Sequence, residues 1–398
     1  MTASAAGGAR CAPTKSRIAA DPSERSATFS PLPFMQFRIV SGDDAREAKM
    51  SDSIARLTHR SVSAAFVCTL LVATMPAARG EHLPPKVAPE ATTWKPASIF
   101  EKDSNDELKK KPRMNLSGAA CVPTTPKFTS CLIANDEKKY AQFFSIEGNL
   151  LVPKDLIRLS DDDDDPDAEG AAYSEGFFYV TGSHGRSRHS DEKNLSSYTV
   201  FRIAVDPNTG APKTKPNAES VDGVEASSRL RKVLKNDDLV EAYFDEPLAK
   251  GGINIEGIAV RNDRMYFGLR GPSLKRHAYV VSVDANALFT KHDDLKSDTA
   301  ALELGKHTGI RDLAVVRDGL LILAGPTREE EVPYTIWLWD GRSETAAKPL
   351  ATLDLSKVEK GAKAEILLPL EEDATSFRVL VMFDGVENGG AISFRIKR

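Results

Sequence analysis

Ile255-Glu256-Gly257-Ile258-Ala259 is a phrase that this chain repeats: a polar or acidic residue, glycine, small apolar residues, then a β-rich run. Fuller copies are Leu116-Ser117-Gly118-Ala119-Ala120 and Ala168-Glu169-Gly170-Ala171-Ala172, and weaker ones are Arg311-Asp312-Leu313-Ala314 and Ala364-Glu365-Ile366-Leu367. From Gly118 the steps to Gly170, Gly257, Asp312 and Ile366 are 52, 87, 55 and 54 residues. Repeats of about 40–55 residues, each holding several short strands, are the signature of propeller blades. The phrase therefore predicts an all-β fold, a single β-propeller over residues 116–398. Five phrases give five blades. A sixth could be assembled from residues 96–115 and the insertion in the long step, so the count is five or six.

Each repeat continues on one plan. After the phrase comes a turn, such as Arg261-Asn262-Asp263 or Arg317-Asp318-Gly319, and then a second strand. Phe177–Val180, Met265–Gly268, Leu320–Leu323 and Phe377–Phe383 fill that place. A third strand alternates in period two at Tyr198–Ile203, Tyr279–Val283, Thr335–Trp339 and Ala391–Ile396. β-Branched and aromatic residues bounded by Gly, Asp and Asn suit such strands. In the long step, Leu230, Val233 and Leu234 fall at helical spacing, which predicts a helical insertion near residues 222–236. The last strand ends close to Arg398, which favours closure of the ring by an interlocked final blade, with a possible closing strand in residues 81–115.

Upstream of the repeats, residues 1–49 show no periodic pattern and read as a disordered or non-native leader. Residues 50–80 read as a signal peptide. Arg56, His59 and Arg60 precede an apolar stretch from Ser61 to Met75, followed by Pro76-Ala77-Ala78-Arg79-Gly80. A bilayer span needs about 20 apolar residues, so stable membrane insertion is the weaker reading. Export to the periplasm or beyond follows as an expectation. Residues 81–96 carry Pro84, Pro85, Pro89 and Pro96 and read as an extended linker. Formal charge is −4 overall, and the first 80 residues contribute +4, leaving −8 for the rest. Nucleic-acid binding needs the opposite sign on one face, so that class is set aside. Removing the leader and signal leaves Cys121 and Cys131, an even pair suited to one disulfide.

In a propeller the first strand of each blade lines the axis, so equivalent residues converge. Superposing the phrases brings Ser117, Glu169, Glu256, Arg311 and Glu365 together, and the ends of the second strands add Asp136, His184, Arg270 and Asp384. Carboxylates crowded on an axis repel unless a cation compensates. One reading places a Ca²⁺ on Asp136, Glu169 and Glu256, since hard oxygen ligands suit that ion; the other gives the compensation to Arg270 and Arg311 as structural ion pairs. His184, on a Gly- and Arg-rich loop, is the best candidate acid or base. Arg186, Arg188, Arg270, Arg311 and Asp384 are the candidate ligand contacts, the arginines being suited to a small anionic ligand. The run Asp161–Asp165 reads as a solvated loop.

With these residues in view, the chain resembles the bacterial secreted family known as domain of unknown function 3616. The resemblance runs from about Leu116 to Ile396. It is carried by Cys131-Leu132-Ile133-Ala134-Asn135-Asp136-Glu137, by Glu169-Gly170 with Phe178–His184, by Ile253–Gly257 with Gly268-Leu269-Arg270-Gly271-Pro272, and by Phe383-Asp384-Gly385. It implies a β-propeller similar in plan to the secreted phytase-like propellers, which hold calcium and phosphate on a carboxylate-lined face. The chain departs from that plan at Glu365-Ile366, where the family favours Glu-Gly. Two functions remain open. One is a binding module for a small ligand or a protein across the polar channel mouth; the other is a Ca²⁺-assisted phosphoesterase or esterase-like hydrolase, which also needs a correctly placed base.

Overall fold

Two short strands, β1 (Lys86–Val87) and β2 (Lys95–Pro96), precede the repeats. The first blade is β3 (Leu116–Cys121), β4 (Cys131–Asn135), β5 (Tyr140–Glu147) and β6 (Leu150–Arg158). The second is β7 (Ala168–Ser174), β8 (Phe177–Gly182), β9 (Val200–Ala204) and β10 (Val224–Ser227). The third is β11 (Asn254–Arg261), β12 (Arg264–Gly271), β13 (His277–Asp284) and β14 (Ser297–Glu303), and the fourth β15 (Thr308–Val316), β16 (Gly319–Pro326), β17 (Thr335–Trp339) and β18 (Lys348–Leu353). The fifth has three strands, β19 (Lys363–Glu372), β20 (Ser376–Asp384) and β21 (Ile392–Lys397). This computed structural model describes residues 83–100, 114–123, 130–187, 192–291 and 294–398. The leader, the signal-like segment, Arg188 and part of the 81–115 linker lie outside the described residues.

Within each blade, neighbouring strands pair antiparallel. The inner strands β3, β7, β11, β15 and β19 contact one another in chain order, and β19 returns to β3. The molecule is thus a five-bladed β-propeller, which resolves the count of five or six.

Five apolar clusters fill the five seams between blades. Between the second and third blades, for example, Tyr179 and Val200 meet Ile255 and Phe267. Each fully buried side chain of this size contributes roughly 1.5–3 kcal/mol. The near-continuous apolar runs of the second strands, such as Leu320–Leu323, are what lets both faces of each sheet join such a cluster.

Ring closure differs from the interlocked final blade expected above. All three strands of the fifth blade come from the C-terminal segment, and among the described residues no N-terminal strand enters that sheet. Instead the 83–100 segment lies across the outside of three blades. β1 pairs parallel with β18 of the fourth blade, and β2 pairs parallel with β6 of the first. Between them, the Glu90 amide donates to the Ser393 carbonyl on β21, and Glu90 Oε2 lies 2.7 Å from Arg378 Nε. Past β2 the Phe100 ring is fully buried, edge-on to Phe144 at 5.7 Å, in the seam between the fifth and first blades. The proline-rich stretch suits this role, because extended backbone follows an outer strand edge without competing for a helix.

The insertion is also shorter in helix than the spacing implied. Residues Val224–Ser227 form β10, the outer strand of the second blade, and the helix α1 spans Leu230–Lys235. Leu230, Val233 and Leu234 are its buried face, as the periodicity requires, packed into the seam between the second and third blades. Cys121 and Cys131 are cross-strand neighbours on β3 and β4 and are bonded to each other. A bridge closing so short a loop contributes about 2–3 kcal/mol.

Candidate functional site

The repeated phrase is a β-bulge. In the second, third, fourth and fifth blades the inner strand skips one residue in its pairing, at Glu169, Glu256, Arg311 and Glu365. In the first blade the skip falls one residue later, at Gly118, beside Ser117. An extra residue re-aims its side chain and leaves the ladder locally unpaired. Here it delivers a charged group to the axis in four blades out of five. All five phrase positions are 3% exposed or less.

The charges answer one another across the seams. Arg270 Nη1 lies 2.7 Å from Glu256 Oε1, and Arg311 Nε lies 2.9 Å from Glu256 Oε2. Arg311 Nη2 pairs with Glu365 Oε1, whose other oxygen accepts from the Ser117 hydroxyl at 3.1 Å. Arg270 Nε donates to the Thr327 carbonyl at 2.9 Å. Burial alone would depress the Arg311 guanidinium, but Glu256 and Glu365 raise its pKa above the ordinary value and hold it charged. The chain thus links the third, fourth, fifth and first blades through one buried guanidinium.

The residue after the bulge sets the approach of the next blade. A Cβ on Gly170 would meet the Glu256 carbonyl at 2.8 Å, and one on Gly257 would meet Leu313 and Asp312 at 2.9–3.0 Å. Glycine is required because backbone runs against backbone there. The fourth blade replaces it with Asp312, whose carboxylate accepts from the Leu313 and Leu367 amides at 2.8 and 2.7 Å. Close approach gives way to a hydrogen bond into the fifth blade. Burial pushes the Asp312 carboxyl well above the usual range, with Glu256 and Glu365 adding to the effect.

His184 lies just beyond β8 with φ of +53° and is 1% exposed. Neither ring nitrogen has a hydrogen-bond partner among the described residues. Burial, aided by Arg231, depresses its pKa from 6.5 to about 3. Its ring stands edge-on to Tyr198 at 5.8 Å; Tyr198 donates to Asp245 at 2.6 Å and carries Arg231 on its face at 4.7 Å. The imidazole is therefore roofed by the insertion and neutral at physiological pH. A working acid or base needs a reachable proton and a pKa near the operating pH. His184 has neither.

On the face where the inner strands begin, a cleft of about 600 Å³ opens between the first, second and fifth blades. Its lining includes Asp136 and Glu137 after β4, Asp163, Asp164 and Asp165 before β7, and Asp384 at the end of β20. Asp384 is paired with Lys363 at 2.7 Å. Burial raises the pKa of half-buried Asp165, and Glu137 and Asp164 raise it further. Residues 161–164 are exposed and irregular, as the sequence implies, but they also form one wall of this cleft.

The sequence-derived site residues divide accordingly. Glu169, Glu256, Arg270 and Arg311 meet in or beside the axial ring, where the arginines are engaged by carboxylates of the protein. Asp136 and Asp384 line the cleft, and Arg186 is bridged by backbone pairing to Lys193 beside it. Arg188 lies outside the described residues. The set Asp136, Glu169 and Glu256 does not fit a calcium ion: Glu256 faces two guanidiniums, and among the described residues no three acidic, His or Cys side chains converge to hold a metal. The cleft itself escaped sequence reasoning, because it draws on loops of three blades. The Asp161–Asp165 run was its one visible signal.

No curated protein matches the sequence. Among solved structures, the exo-β-1,3-galactanase of Phanerochaete chrysosporium is similar with a TM-score of 0.40 and 8% identity, over 71% of this chain and 60% of that one. The PQQ domain of pyranose dehydrogenase from Coprinopsis cinerea gives a TM-score of 0.36 and 10% identity, over 71% of this chain and 81% of that one. Hydrazine synthase of Kuenenia stuttgartiensis gives 0.33 and 10% identity, over 71% and 60%. This chain thus spans less than two thirds of the galactanase and the hydrazine synthase, and likenesses this distant say nothing of activity. Sequence similarity is more direct. It covers residues 131–205 and 202–390, and the chain belongs to the family described as protein of unknown function (DUF3616).

Proposed function

We propose that this propeller is an exported, non-catalytic binding module whose entry-face cleft takes a small polycationic ligand. The observation that carries the reading is the lining of the cleft, where eight carboxylates stand against three lysine ammonium groups. At about 600 Å³ the cleft falls in the size range of small-molecule sites. An anionic ligand on the axial ring would need its arginines, and Arg270 and Arg311 are committed to Glu256 and Glu365. The hydrolase alternative loses support with its base, since His184 is enclosed and weakly basic. The Cys121–Cys131 bond supports an oxidising compartment, where such bonds persist. Among the described residues no helix is long and apolar enough to cross a membrane.

Calorimetric titration with spermidine at low ionic strength tests the reading. Saturable binding is expected, weakened by added salt and by the triple substitution Asp163→Asn, Asp164→Asn, Asp165→Asn. Spermidine binding that the triple substitution leaves unchanged overturns it, as does calcium-dependent turnover of a phosphomonoester or carboxylester.

A further inference from the structure

The face opposite the cleft, where the inner strands end, holds a second concavity that the binding proposal does not use. It is an axial cavity of about 760 Å³, and all five inner strands contribute to its wall. The wall is built mainly from small and aliphatic residues, among them Ala120, Ala172, Ala259, Ala314, Val315 and Leu370. The repeated phrase explains the space. Its first residue sends charge to the axis, and the small residues that follow keep the next level of the channel open. Val315 is 40% exposed on this wall, a large aliphatic side chain left facing the opening.

The charged ring closes the cavity from within. Glu256, Arg311 and Glu365 stand about two residues up their strands from the lining residues Ile258, Leu313 and Leu367, a rise of about 6–7 Å. They are at most 3% exposed, so the axis is sealed at that level and the cavity is blind.

The rim carries Arg261, Arg317, Glu371 and Glu372. Both acids are already committed. Glu371 faces Arg378 and Arg395 at 3.1 and 3.0 Å. Glu372 pairs with Arg398 and accepts from the Arg317 amide. The two arginines are not so committed. Arg261 Nη2 donates to the Arg317 carbonyl at 3.2 Å, which holds the two residues side by side. Among the described residues neither guanidinium has a carboxylate partner.

An apolar blind cavity with two available guanidiniums at its mouth has a defined complement. We propose that it binds a small amphipathic anion, with the apolar body along the axis and a single anionic headgroup at Arg261 and Arg317. Burial of apolar surface supplies affinity, and charge-assisted hydrogen bonds at the rim fix orientation. This site is independent of the cleft on the other face.

Titration calorimetry of the full chain with sodium decanoate and with 1-decanol is the test. Decanoate is expected to occupy one saturable site, and decanol to bind about tenfold more weakly, the equivalent of one lost charge-assisted pair. The double substitution Arg261→Gln, Arg317→Gln should remove that preference. Val315→Trp should abolish binding of both by filling the mouth, and Ala120→Leu should do so from another part of the wall, so that poor folding of one variant leaves the other to decide. No saturable binding overturns the proposal, and so does equal affinity for acid and alcohol in the wild type. Binding that persists in both filled variants places the ligand elsewhere and overturns it too.

Discussion

Arg311 Nε lies 2.9 Å from Glu256 Oε2, across the seam between the third and fourth blades. The same guanidinium reaches Glu365 in the fifth blade, so one side chain neutralises two buried carboxylates from opposite neighbours.

Arg311→Leu should therefore cost about 3–5 kcal/mol, because Glu365 would be left buried without a counter-charge and Glu256 would keep only Arg270. Arg311→Lys should recover little, since one ammonium cannot span two acids as a planar guanidinium does. Adding Glu365→Gln to Arg311→Leu should restore part of the loss. Urea unfolding measures all three, and an Arg311→Leu protein with wild-type stability would show that the ring is not held by charge.

Calcium should leave the melting temperature unchanged. A ligand that binds the folded state raises that temperature through mass action, but Glu256 has its oxygens facing Arg270 and Arg311. Differential scanning calorimetry with chelator and then with millimolar calcium decides the point. A rise that Glu256→Gln abolishes would reinstate a metal on the axis.

Acid should weaken the protein through His184. Its folded-state pKa of about 3 lies below the ordinary 6.5, so in that interval the native protein binds fewer protons than the unfolded chain. The stabilising effect is complete above pH 6.5 and is lost as pH falls toward about 3. Between pH 6.5 and 5 the loss should be about 2 kcal/mol. His184→Asn tolerates the positive φ and should flatten this part of the profile. Urea midpoints at pH 7.5, 6 and 5 test it, and equal slopes for both proteins would refute it.

Phe100→Ala should cost about 3–5 kcal/mol, the usual range for emptying an aromatic site in a core. Glu90→Gln should cost less, because the pair with Arg378 is partly solvated. If Phe100→Ala unfolds at the wild-type urea concentration, the 83–100 segment is not part of the cooperative unit.

Much of this architecture was legible in the sequence because the phrase serves two functions at one position. A bulge needs a residue that can leave the ladder, which marks the string in every blade, and close backbone approach needs glycine, which marks it in the first three. The second and third strands were legible because both their faces are buried. The outer strands β6, β10 and β14 were not, since their residues alternate with solvent or are largely exposed, as in Ser297–Glu303. The convergence of Ser117, Glu169, Glu256, Arg311 and Glu365 followed from superposing the repeats. Which arginine answers which acid did not, because that depends on side chains crossing a seam. His184 was misread for a related reason. Gly182 to His189 has the composition of a surface loop, and the cover over His184 comes from Tyr198, itself packed against Phe244 and Arg231, elsewhere in the chain.

The 83–100 segment carries a consequence for the order of events during synthesis. It leaves the ribosome before any blade, yet its partners are Thr352, Leu353 and Ser393 at the far end of the chain and Leu150 nearer by. Until the fifth blade exists, the segment has nothing to span. Its docking therefore reports that the last blade has been made and the ring has met itself, a completion latch that an early-truncated chain cannot fasten.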